Sequence, residues 1–390
     1  THNQWTSDGK WIIFRSGRVK GEAMAVNETS GVMVQVTEGG YTGMLNVARK
    51  SMKLYFMRRQ SNDTLSKSLS IVEVDLAKLF ADSQAGTMKP EAFYQRICGI
   101  TPPELEAGGD MALDGSEDWV WFRVGKEEAA RHLAPDAKIE PTFGPRHMGA
   151  GPAGIAGMNI HTGEVKYVAS VPFQVGHIQT NPWVPGQIIF CWETGGKSPQ
   201  RTWIVNSDGS GLRPLYPEAS YEWVTHEAVI SPDEIAIAIL GHRKIASSSD
   251  TATVKGTDFK GINPGQDKEW GDCGTREKPT GLGIVNINTR EMVIAGQTAS
   301  GSGFWHVNGS SDKRFAVGDD FARNIYLIDR RTHEMILLST GHKATAADHP
   351  HPTFSPDNTK IEIQSAMLSA EGKSMNICVI PVPEKWLKRK

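Results

Sequence analysis

Trp5-Thr6-Ser7-Asp8-Gly9-Lys10 runs directly into Trp11-Ile12-Ile13-Phe14. Asp and Gly set a tight turn, and the aromatic and β-branched run behind it suits a pleated strand. The same unit returns along the chain. Ser51-Met52-Lys53 leads into Leu54-Tyr55-Phe56, and Leu113-Asp114-Gly115-Ser116 leads into Trp119-Val120-Trp121-Phe122. Pro182-Trp183-Val184-Pro185-Gly186 precedes Ile188-Ile189-Phe190, and Ser231-Pro232-Asp233 precedes Ile235-Ala236-Ile237. Residues 308–313 open onto Phe315-Ala316-Val317, and Ser355-Pro356-Asp357-Asn358 onto Ile361-Glu362-Ile363. Counted together, the unit occurs seven times.

Most units are followed by a second strand–turn pattern, as in Ile160-His161-Thr162-Gly163-Glu164, Ile204-Val205-Asn206-Ser207-Asp208-Gly209, Ile284-Val285-Asn286-Ile287-Asn288 and Ile325-Tyr326-Leu327-Ile328-Asp329. Two hairpins per repeat make four strands, which is one propeller blade. The expected fold is all-β: a seven-bladed β-propeller of four-stranded antiparallel blades around a central channel. One domain is expected over residues 1–390, because each blade packs only on its neighbours. The C-terminal run Asn376-Ile377-Cys378-Val379-Ile380 is expected to complete a blade with residues at or before Thr1.

Spacing between units varies from about 46 to about 77 residues, beyond ordinary propeller periods at its upper end. The surplus is expected in loops, and insertions on one face often mark the binding face. Three insertions stand out, near 80–110, 126–152 and 243–280. The first reads as irregular and the third as polar. The second carries Arg131, His132, Arg146 and His147, and these clustered cations make it the expected wall of a substrate groove.

Composition narrows the function classes. A formal net charge of -2 gives no bulk pull toward nucleic acid or membrane, and neither is an expected partner. No apolar stretch reaches the length of a membrane span. The four cysteines lie far apart with no CxxC spacing, which argues against a zinc ribbon. No signal peptide is visible; a periplasmic or secreted location is expected if a leader was removed, and a cytoplasmic one otherwise. A monomer is expected. The sites most open to a ligand are the loops that converge on the channel.

Histidines gather where strands enter the repeats. His349-Pro350-His351 is the sharpest signal. Residues i and i+2 of an extended segment face one side, and Pro350 and Pro352 keep this segment extended. Two imidazoles on one side can share a metal, and His306 from the adjacent blade can supply a third. The same pattern also fits polar channel fillers. His226 precedes another unit, and Arg201 and Arg213 flank the hairpin before it. A guanidinium beside an imidazole suits an anionic substrate and keeps the imidazole neutral, as a general base requires.

Several segments together resemble one family. They are Arg201-Thr202-Trp203-Ile204-Val205-Asn206-Ser207-Asp208-Gly209-Ser210, Thr225-His226-Glu227, His306, and His349-Pro350-His351-Pro352-Thr353-Phe354-Ser355-Pro356-Asp357, with the opening Thr1-His2-Asn3-Gln4-Trp5-Thr6-Ser7-Asp8-Gly9-Lys10. Through these the chain resembles the oligogalacturonate lyases, seven-bladed propellers that cleave uronate oligosaccharides by β-elimination. The resemblance implies metal ligation by His306, His349 and His351, with manganese the expected ion. It implies His226 as the base and Arg201 as the arginine that assists at the reacting sugar. Where the family offers a glutamine three residues before the His-Pro-His pair, this chain has Ala346. Asp348 or water is then left to fill that place, or the metal binds weakly or not at all. The insertion at 243–280 is a second departure and implies a different substrate shape.

The expected reaction is elimination on an anionic, uronate-containing oligosaccharide, through loss of the C5 proton and expulsion of the O4 substituent. A metal or arginine on the carboxylate stabilises the enediolate that develops. His177, Arg213 and Tyr221 are expected substrate contacts, and His177 and Tyr221 are candidates for protonating the leaving oxygen. Trp183, Trp223 and Trp305 can stack on sugars or pack between blades. Two other classes stay open. One is a propeller glycoside hydrolase using Glu193, Glu227 or Asp267, although no pairing of these is evident. The other is a non-catalytic, TolB-like binding propeller.

Overall fold

The computed structural model describes residues 4–60, 67–219, 222–240, 281–298, 304–346 and 348–389. They form a seven-bladed β-propeller built from seven antiparallel sheets. In blade two, strand Thr42–Val47 pairs with Lys53–Arg59, then Leu69–Asp75, then Gln95–Ile100. Each quoted sequence unit supplies the turn of a blade's first hairpin and the strand after it. In blade five, Ser231-Pro232-Asp233 joins Trp223–Ser231 to Glu234–Leu240. The later strand–turn patterns form the outer hairpins.

The first and last blades are shorter. Among the described residues each has three named strands, and blade one gains a short inner edge where Trp5 bridges Ile12. The C-terminal strand Asn376–Pro381 pairs only with Lys360–Ser365 among these residues. The expected pairing of the two chain ends is therefore not observed there. Residues 4–6 are used as the inner edge of blade one, which leaves side chains to close the ring. Lys360 Nζ donates to Glu28 Oε1 at 2.6 Å, and the Gln4 amide donates to both oxygens of the buried Glu362 at 3.1 Å.

The apolar core lies between blades. Trp11 and Ile13 of blade one pack with Leu54, Phe56, Val72 and Val74 of blade two. Phe315, Val317 and Leu327 meet Phe354, Ile361 and Ile363 between blades six and seven. Fully buried rings such as Phe56, Phe122 and Phe190 each contribute ~1.5–3 kcal/mol through burial.

The insertion near 80–110 departs from the irregular loop expected of it. A helix spans Leu76–Ala85, with Asp75 capping its start by accepting from the Lys78 N–H at 3.1 Å. It ends at Gly86, whose φ of 68° is the left-handed geometry that glycine tolerates best. Leu76, Leu79 and Phe80 form its buried face, and Phe80 stacks on Trp11 at 4.0 Å. Strand Gln95–Ile100 follows.

The insertion near 126–152 begins with a helix at Lys126–Arg131. Its cations are engaged locally. Glu128 accepts from Arg131 at 2.8 Å and lies 2.9 Å from His132, whose ring stacks on Tyr167. The insertion near 243–280 lies outside the described residues, as does Tyr221.

Candidate active site

At the first strand of three neighbouring blades the register slips beside a histidine. The slips lie between Gly176 and Gln179 around His177, between Val224 and His226, and between Phe304 and His306. A bulge re-aims the side chain next to it, and bulges recur beside active sites. His177 also has a left-handed φ of 48°, a costly conformation for a residue with a Cβ. The three residues come together: the His226 ring lies 5.9 Å from that of His177 and 4.3 Å from that of His306. Two cavities, of about 180 and about 550 Å³, share His177 and His226 in their walls.

Glu227, completely buried, anchors the first cluster. It accepts from Arg201 Nε at 3.0 Å, and its other oxygen lies 3.0 Å from His177 Nδ1. Burial pushes this carboxyl up, but Arg201 and His177 outweigh it and hold the group at about 2. The buried Arg201 stays a cation: desolvation opposes its charge, while the carboxylates of Glu227 and Glu193 restore it. Its backbone N–H donates to Glu218 at 2.9 Å, which fixes the strand start that carries it. Cys191 is buried nearby, and burial pushes its thiol far up, leaving it protonated and inert.

His226 lies beside this cluster without a carboxylate partner among the described residues. Burial, then the nearby His306, Arg201 and His177, push its pKa well down, so the imidazole is neutral near pH 7. Trp305 meets it edge-on at 5.1 Å. Trp223 and Trp305 line the smaller cavity, whereas Trp183 lies under Arg49 away from both cavities.

The second cluster gathers His306, His349 and His351, as expected. The His306 ring centre is 3.5 Å from that of His351 and 5.6 Å from that of His349. Asp319, which sequence reasoning missed, is fully buried against His306 and His349. It accepts from the His306 backbone N–H at 2.6 Å and lies 3.2 Å from His306 Nδ1. His349 Nδ1 is 3.3 Å from the same carboxylate, but it is buried with no aligned hydrogen bond. The signal available was two aspartates closing the apolar run Phe315-Ala316-Val317-Gly318-Asp319-Asp320, every residue of which is buried.

One ligand atom each from His306, Asp319 and His349 lies within 4.8 Å of the other two. Imidazole nitrogens with a carboxylate are a donor set suited to a divalent first-row ion, and the orphaned His349 nitrogen is what a missing ligand partner would leave. These residues therefore fit a metal. His177, Cys191 and Glu227 are similarly close. There the Arg201 guanidinium already supplies the positive charge, which argues against a second ion.

Ala346 is buried, and its methyl offers no ligand atom. Its carbonyl accepts from Arg323. Asp348 takes the adjoining position, with Oδ1 3.0 Å from His351 Nε2 and Oδ2 accepting from Gln364 at 3.0 Å.

Other expectations are placed elsewhere. Arg213 is not at the site: it sits on the outermost strand of blade four and donates to the carbonyls of Pro214, Leu215 and Ile287. Arg131, His132, Arg146 and His147 line neither cavity. Their loop acts indirectly, because Trp192 Nε1 donates to the Gly149 carbonyl and Met148 packs against Gly195 of the turn that lines the smaller cavity.

No family model matches the sequence, and no curated protein matches it. Solved structures do. An oligogalacturonate lyase in complex with manganese superposes with a TM-score of 0.68 at 15% identity, covering 99% of this chain and 90% of that one. An oligogalacturonate lyase from Vibrio parahaemolyticus gives a TM-score of 0.68 at 18% identity over the same shares. A GH74 enzyme from Niastella koreensis gives 0.54 at 10% identity, covering 96% of this chain and 51% of that one. At these identities the likeness establishes the propeller fold.

Proposed function

We propose that the chain is a lyase that cleaves uronate-containing oligosaccharides by β-elimination. The observation that carries this reading is the setting of His226. A neutral imidazole with no carboxylate partner among the described residues stands between a buried guanidinium and a cluster of metal-ligand side chains, at the junction of two cavities. The two lyase structures with the same fold support it.

Elimination needs a base at C5 and positive charge at the adjacent carboxylate. Arg201 is held rigidly by Glu227 and supplies one fixed cation for that carboxylate. His226, being neutral, accepts the C5 proton. His306, His349 and Asp319 would hold a divalent ion, manganese by analogy, with His351 and Asp348 alongside. When bound, that ion supplies Lewis-acid stabilisation of the charge developing on the substrate. The cavity walls add Trp223 and Trp305 as apolar faces for sugar rings.

A hydrolase would need a free acid/base pair of carboxyl groups flanking the bond. Glu227 is ill suited, since Arg201 and His177 hold it ionised. The test is ultraviolet absorbance during incubation with a panel of uronate oligosaccharides, with and without manganese. A rise marks the unsaturated product of elimination. New reducing ends without a rise would replace this reading with the hydrolase.

A further inference from the structure

We infer that His177 is the general acid that protonates the leaving O4, and that Glu227 is its positioning residue. This rests on the elimination proposed above and names the group which that reading leaves unassigned.

Two imidazoles border the same two cavities, with ring centres 5.9 Å apart and planes inclined by 20°. Their surroundings are opposite. His226 meets no carboxylate among the described residues, whereas His177 lies between two. Its Nδ1 is 3.0 Å from Glu227 Oε1, and its Nε2 is 3.4 Å from Glu193 Oε2. Carboxylates accept and do not donate when ionised, so the Glu227 hydrogen bond asks for a proton on Nδ1, and Nε2 faces Glu193 across a longer, unaligned contact. Arg201 Nη2 also stands 3.2 Å from Nδ1. That nitrogen cannot accept from Arg201 while donating to Glu227. The buried carboxylate needs the donor, and Glu193 lies 3.6 Å from the same guanidinium nitrogen. Setting two like groups in contrasting surroundings, one flanked by carboxylates and one not, is how acid and base are divided at one site. The left-handed backbone and the register slip at His177 fit a side chain held in place for function.

The proton balance closes. The C5–H bond breaks and its proton goes to His226. The electron pair forms the C4–C5 double bond as the C4–O4 bond breaks. His177 Nε2 gives its proton to O4, making the free hydroxyl. The protein ends with one proton moved from His177 to His226, and exchange with solvent restores both.

The test compares two substrates: a uronate oligosaccharide with a sugar at O4, and a 4-O-nitrophenyl uronoside whose leaving phenolate needs no proton. His177→Gln is expected to lower turnover of the first by about 10²–10⁴-fold and of the second by less than about tenfold. Glu227→Gln, which also loosens Arg201, should slow both substrates and the first more than the second, and thermal unfolding checks that each variant is folded. Equal losses on both substrates in folded His177→Gln overturn the assignment and leave the lyase reading standing. If wild type eliminates from neither substrate, the lyase reading itself fails. Should His177→Gln not fold, wild type decides alone across a series of leaving groups: rates nearly independent of leaving-group acidity support the acid, and a steep dependence overturns it.

Discussion

Glu227 and Asp319 are both fully buried carboxylates on neighbouring blades, and each touches two functional side chains. Glu227 has a guanidinium and an imidazole. Asp319 has two imidazoles and, among the described residues, no lysine or arginine. The first cluster is complete in charge, so it can hold Arg201 and His177 rigidly without any added ion. The second is held by imidazoles alone, which outweigh burial and keep Asp319 well below the usual carboxylate range but carry no permanent charge, so it has room for an added cation. On the function proposed above, the two similar-looking constellations serve different purposes: one presents a built-in cation, and the other would receive one.

The largest expected effect falls on this contrast. Glu227→Ala leaves the buried Arg201 with only the looser contact to Glu193 at 3.6 Å, which should lower stability by ~3–5 kcal/mol, measured by urea unfolding. Asp319→Ala, studied without metal, leaves only imidazoles, which can shed a proton instead of staying buried as cations, and should cost clearly less. Equal losses would erase the distinction. The next effect concerns metal. Manganese at a hundred times its dissociation constant should stabilise wild type by about 2.7 kcal/mol, read as a thermal shift. Asp319→Asn or His349→Ala should abolish the shift, whereas Glu227→Gln should retain it.

A third buried carboxylate sharpens the comparison through pH. Among the described residues Glu362 lacks a cationic partner, and burial raises it from 4.5 to about 8; a neighbouring titratable group is Cys378. Its folded pKa lies above the unfolded one, so its contribution to stability is full below the unfolded value and is lost as pH rises toward 8. Wild type should therefore lose stability relative to Glu362→Gln between about pH 5 and 8, at no more than ~1.4 kcal/mol per pH unit. Glu227, held at about 2, has the opposite sign: its contribution is present above the unfolded value and is lost only as pH falls toward 2. The smallest effect belongs to Arg213. Arg213→Gln should leave turnover unchanged and cost about 1–2 kcal/mol through lost hydrogen bonds to carbonyls, measured by unfolding.

The blades were legible because their turns are local chemistry. Asp8-Gly9 and Ser231-Pro232-Asp233 specify turns whatever surrounds them, and the strands that follow carry their own pattern. The helix at Leu76–Ala85 was missed because its first turn lies inside what reads as a strand end, while Gly86 and Pro90 draw attention to the loop beyond. His306, His349 and His351 were found from spacing and family likeness, and the structure brings them together. Asp319 and the paired role of Glu227 were not found, because each acts through a residue on another strand or another blade. Nothing in Thr225-His226-Glu227 reveals that Glu227 reaches back to Arg201 and His177. Arg213 was misplaced for the converse reason: closeness to a hairpin in sequence does not say which strand of the blade faces the channel.

The most direct test of the lyase reading is a reaction in water enriched in oxygen-18, with the products weighed by mass spectrometry. Elimination adds no water. Fragments whose masses sum to that of the substrate, with no heavy oxygen, are the predicted result, and His226→Ala should form none. A heavy oxygen fixed at the new reducing end as the bond breaks would mean hydrolysis and would contradict the role given to His226.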